Sequence, residues 1–65
     1  MDTEKVLALL RRAKMEIRHP RASHNSKHFS YGVVARWESE YFPDGSHNSD
    51  YESGWLAMDE LLQGK

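Results

Sequence analysis

Two histidines, His24 and His28, stand four residues apart, and His47 lies further along the chain. On a helix, imidazoles at i and i+4 can share one divalent ion, with a third histidine completing the set. Structural zinc sites usually take four ligands, however, and the chain has no cysteine. His24 also falls before the expected start of its helix, which takes the pair off helical spacing. These side chains therefore read as solvated histidines, and no metal or other cofactor is expected. Nucleophilic catalysis has one candidate cluster, Ser49 with His47 and Asp50. With seven serines and four histidines, such a trio arises from composition alone. There is no nucleophile elbow, glycine-rich phosphate loop or HExxH motif. A chain this short also has little room for a substrate pocket. The expectation is a protein that is not an enzyme.

The tetrapeptide SHNS occurs twice, at residues 23–26 and 46–49. Each copy lies between turn-forming residues and an aromatic-rich stretch. Read as local structure, each marks a helix entrance, with Ser26 and Ser49 as the capping residues. SDYE at 49–52 fits a capping box, Ser49 accepting from the Glu52 amide and Glu52 reaching back. Beyond the tetrapeptide the stretches do not align. Lys27 stands against Asp50 and Phe29 against Glu52, so the pair is not a duplicated unit.

A more informative chemical pattern is charge. The net charge is −1, yet eight of the nine Lys/Arg residues lie between Lys5 and Arg36, with Glu16 the only acid among them. From Trp37 onward there are seven acids and one base, Lys65. Such asymmetry points to a charged partner, or to the two halves lying against each other. Arg11, Lys14 and Arg18 fall on one side of the first helix, with Arg21 and Lys27 following and Arg12 nearer the opposite flank. Leu7 shares the arginine side and Met15 borders it. The predicted partner-binding face is Leu7, Arg11, Lys14, Met15, Arg18 and Arg21. Apolar anchors rimmed by arginine suit a protein partner. The same cations suit phosphates, which makes a nucleic-acid-binding protein using the first helix and following loop the second reading. The acidic second half opposes that reading.

Helices must position these groups. Val6, Leu9, Leu10, Ala13 and Ile17 recur at helical spacing over 3–18, with Asp2 or Thr3 as cap and Pro20 as stop. RHPRASHNS is a loop by composition. Over 27–41, Phe29, Val33, Val34, Trp37 and Tyr41 line one helical face. With period two, Phe29, Tyr31, Val33, Ala35 and Trp37 would instead line a strand. Valine, tyrosine and Gly32 lean toward strand, but no second strand is patterned to pair with it. PDGS at 43–46 is a turn. Over 50–63, Tyr51, Trp55, Met58 and Leu62 share a face beside Leu61. Gly54 costs that helix about 1 kcal/mol against alanine, and Gly64 is its stop. The fold class is all-α, a three-helix domain with helices near 3–18, 27–41 and 50–63. The alternative is α+β with a strand or hairpin around 28–38.

Sixty-five residues make a single domain, 1–65, with a marginal core. Small domains of this kind often lean on a partner subunit. No run approaches the roughly 18 apolar residues of a membrane span. The acids-first order of MDTEKVLALLRRAK is the reverse of a signal peptide. Absence of cysteine fits the cytoplasm. Trp37, Tyr41, Tyr51 and Trp55 are expected to fill the bundle. A core this small does not cover all of Phe29, Tyr31, Phe42 and the two tryptophans, so an interface between two copies is expected. The combined expectation is a small cytoplasmic regulatory or interaction protein, homodimeric and acting on another protein. Its size and economy suit an accessory protein of a bacterium or phage.

Overall fold

The computed structural model describes residues 2–38 and 48–64. Three helices occupy them: α1 (Thr3–Arg18), α2 (His24–Glu38) and α3 (Ser49–Gln63). The all-α reading holds. Residues 28–38 are continuous helix, and no strand occurs among the described residues. The expected end of α2 at 41, the PDGS turn, His47, and the aromatics Tyr41 and Phe42 lie outside the described residues.

The ends of α1 follow from local chemistry. The Asp2 carboxylate accepts from the Lys5 amide at 3.2 Å, and Glu4 sits in the first turn, where the helix dipole favours an acid. His19, with φ −75° and ψ 121°, leaves the helix in the extended geometry that a following proline imposes. Pro20 and Arg21 then form the centre of a turn closed by the Ala22 amide on the His19 carbonyl, at 3.2 Å. The imidazole adds a second tie, His19 Nδ1 accepting from the Arg21 amide at 3.0 Å.

Both helix entrances use a different residue from the one expected. In the first SHNS the cap is Ser23, not Ser26. Its hydroxyl accepts from the Ser26 amide at 3.1 Å, and its carbonyl accepts from the Lys27 amide at 3.0 Å. The helix thereby starts at His24, three residues earlier than expected. In the second, Asn48 is the cap and its side chain accepts from the Tyr51 amide at 2.9 Å. The expected box between Ser49 and Glu52 is displaced, because from an Asn48 cap Glu52 stands one position too far. Serine and asparagine cap about equally well, so residue type alone does not choose among the positions in SHNS. Gly64 closes α3 in the left-handed region, φ 78°, as expected of a glycine stop.

The core joins Val6, Leu10 and Ala13 of α1 to Val33 of α2 and Met58 of α3. Leu9, Phe29, Val34, Leu61 and Leu62 pack around it. Val6, Val33 and Met58 are almost completely covered, each stabilising the fold by roughly 1.5–3 kcal/mol relative to exposure. The larger helix interface is α2 with α3, while α1 packs chiefly on α2.

Two glycines set the α2–α3 interface. A β-carbon on Gly32 would collide with the Tyr51 carbonyl oxygen and stand 2.9 Å from the Trp55 amide nitrogen. A β-carbon on Gly54 would collide with the Phe29 carbonyl oxygen and stand 3.1 Å from the Phe29 Cα. The contact is reciprocal. Each helix carries an aromatic residue three positions before its glycine, Phe29–Gly32 and Tyr51–Gly54, and each aromatic residue's carbonyl meets the other helix's glycine. Such backbone proximity allows Cα–H···O contacts between helices.

The capping assignments are open to direct measurement. Ser23→Ala and Asn48→Ala are each expected to lower stability by about 1 kcal/mol in urea denaturation. Ser49→Ala should change it by only a few tenths of that, and Ser26→Ala by less than Ser23→Ala. A larger loss at Ser49 than at Asn48 would restore the capping box.

Candidate interaction surface

On α1 the covered side is Val6, Leu10 and Ala13. Next to it, at helical spacing, run Leu7, Arg11, Lys14 and Arg18, with Met15 at the border. All five are exposed. Leu7 is 37% and Met15 72% accessible, large values for apolar side chains. Arg21 is exposed in the turn just beyond, its backbone fixed by His19. The predicted face is thus contiguous along α1 and extends into the turn. None of its four cations pairs with a carboxylate among the described residues.

Arg36, counted with the basic half in sequence, behaves differently. Its Nε donates to Asp59 Oδ1 at 2.8 Å, with both side chains mostly covered. Its guanidinium also lies 5.3 Å from the centre of the Trp55 ring. Asp59 accepts a further bond from Gln63 Nε2 at 2.7 Å. The basic and acidic halves therefore meet at this point, and Arg36 takes no part in the α1 face.

The aromatic residues divide. Trp55 is buried and Tyr51 half-buried, as a core role requires. Trp37, expected in the core, is 46% accessible, and Tyr31 45%. Trp37 lies one turn beyond Val33, the last buried residue of α2, next to the end of the helix.

His24 and His28 do share a helix face, because α2 begins at His24. Their ring centres are 4.1 Å apart, and His28 meets Tyr31 edge-on at 6.1 Å. No set of three or more histidine, aspartate or glutamate side chains able to hold a metal occurs among the described residues. Ser49 and Asp50 are the first residues of α3, while His47 lies outside the described residues, so the catalytic trio weighed above has no described geometry.

One feature of the surface was not foreseen. Between α1 and α2 is a groove of about 480 Å³. Leu9, Ala13 and Phe29 give it apolar walls, and Arg12 and Glu16 line it from α1. Asn25, Ser26 and Ser30 line it from α2. Arg12 stood out in sequence only by lying off the basic stripe, and nothing there placed it opposite α2.

Comparison with protein-family models, curated proteins and solved structures found no match to this chain. No described helix is long and apolar enough to cross a membrane. Fold and surface together define a small three-helix domain presenting a cationic, partly apolar helix face.

The Arg36–Asp59 pair joins α2 to α3 beside the glycine contact and should stabilise the domain. A double-mutant cycle with Arg36→Gln and Asp59→Asn is expected to give a coupling on the order of 1–2 kcal/mol by urea denaturation. Strict additivity would mean that the pair holds nothing.

Proposed function

We propose that this chain is a small non-enzymatic regulatory or interaction module that binds another protein through the outer face of α1. The observation that carries the reading is the exposure of Leu7 and Met15 among Arg11, Lys14 and Arg18, cations with no carboxylate partner among the described residues. A solvated helix face gains nothing from two accessible apolar side chains. An interface does, because desolvated apolar anchors beside arginine dominate binding energy. The complementary partner surface is acidic around an apolar recess, and Arg21 extends the contact past the helix end.

Self-association belongs to the same reading. Tyr31, Trp37 and Leu56 are each more than two-fifths accessible, more apolar surface than a chain with a marginal core would leave uncovered. The module is assigned to the cytoplasm as a homodimer, in keeping with an accessory role in a bacterium or phage.

Binding of a captured partner separates protein from nucleic-acid recognition. With a protein partner, Leu7→Ala should weaken binding about as much as Arg11→Glu, roughly tenfold each. With a nucleic acid, Leu7→Ala should matter little, and charge reversal at Arg11 and Arg18 should flatten the salt dependence of binding to any duplex. Unchanged binding by a Leu7, Arg11 and Arg18 triple variant would remove this face from function. Dimerisation should appear in sedimentation at micromolar concentration, with Tm rising with protein concentration.

A further inference from the structure

The α1–α2 groove has three properties that combine into a site. Its volume, about 480 Å³, lies within the roughly 300–1,000 Å³ range of small-molecule pockets. Its apolar walls are Leu9, Ala13 and Phe29. Its polar groups are of opposite sign and are not consumed by the fold. Arg12 and Glu16 are one turn apart on α1, and neither has an ion-pair partner among the described residues. Ser30 adds the one buried polar side chain among the described residues. It is only 3% accessible and lines the groove. Its hydroxyl forms no hydrogen bond with another described residue and is not fully buried, which leaves it open to the groove.

We infer that this groove binds a small zwitterion with a large apolar body, a free amino acid with an aromatic or branched side chain. The apolar side chain lies against Leu9, Ala13 and Phe29. The carboxylate faces the Arg12 guanidinium, whose planar fork suits a carboxylate. The ammonium faces Glu16, and Ser30 offers a hydroxyl to the polar end. A purely apolar ligand would leave Arg12, Glu16 and Ser30 without partners. A simple anion would sit against Glu16, and a simple cation against Arg12. The zwitterion alone answers both charges. This site is separate from the outer face of α1, so ligand binding and partner binding stand or fall independently. For a ligand of this size, Kd is on the order of a millimolar.

The test is an amide NMR titration of the full chain with three probes. These are L-phenylalanine, L-phenylalaninamide, which lacks the carboxylate, and N-acetyl-L-phenylalanine, which lacks the ammonium. Saturable shifts are expected at Ala13, Glu16, Ser26 and Ser30. Phenylalanine should bind the wild-type chain roughly three- to tenfold more tightly than either analogue. Arg12→Gln should lose that factor for phenylalanine and stop distinguishing it from the amide. Glu16→Gln should stop distinguishing it from the N-acetyl form. Both positions are at the surface, and the amide spectrum itself reports folding. The three probes on the wild-type chain test the idea without any variant. Absence of saturable shifts in the groove would overturn it, as would equal affinity for all three probes, or discrimination against the amide that survives Arg12→Gln.

Discussion

Everything in this fold depends on two helices touching through their backbones. Gly32 and Gly54 let α2 and α3 approach until the carbonyls of Tyr51 and Phe29 occupy the places where β-carbons would stand. Glycine in a helix interior costs about 1 kcal/mol against alanine, and this small domain carries that cost twice. The close approach offsets it. It brings Arg36 onto Trp55 and Asp59, and it draws Met58 and Val33 into a core where both are fully covered. A chain of this length has too little apolar surface for loose packing to hold it. With no cysteine in the chain, intimate contact between two helices is its alternative to a disulfide.

The exposed surfaces follow from that pairing. With α2 and α3 locked together, α1 completes the core by leaning mainly on α2. One flank of α1 then opens the groove against α2, where Arg12 and Glu16 look across at Ser26 and Ser30. Its other flank carries Leu7, Arg11, Lys14 and Arg18 outward. The charge asymmetry of the chain is divided accordingly. Arg36 is used inside the α2–α3 pair, Arg12 in the groove, and the remaining cations of α1 stay on the surface.

Much of this was legible in the sequence. The bounds of α1 could be read because a 3.6-residue apolar stripe, an acidic cap and Pro20 agree. The outer face of α1 was equally legible, since helical spacing fixes which side chains share a side. The stripe of α3 and its glycine stop were readable for the same reason. The caps were not, because SHNS offers several residues of similar capping strength and backbone geometry makes the choice. Gly32 and Gly54 misled in opposite ways. Gly32 argued for a strand and Gly54 for a weakened helix, because a glycine's use in close packing depends on a partner distant in sequence. The groove was hidden likewise, being a property of two helices. Trp37 was assigned to the core on periodicity alone, but it lies one turn beyond the last buried residue of α2.

The most direct measurement is the stability of Gly32→Ala and Gly54→Ala, each followed by thermal and urea denaturation with the helical signal as readout. In a helix with free space at that position, alanine raises stability by up to about 1 kcal/mol. The backbone contact predicts the opposite sign for both. Each alanine should lower Tm clearly, and the double variant should fail to form a cooperative fold. A rise in Tm with either alanine would contradict the contact, and with it the arrangement of α2 and α3 on which the rest of the structure stands.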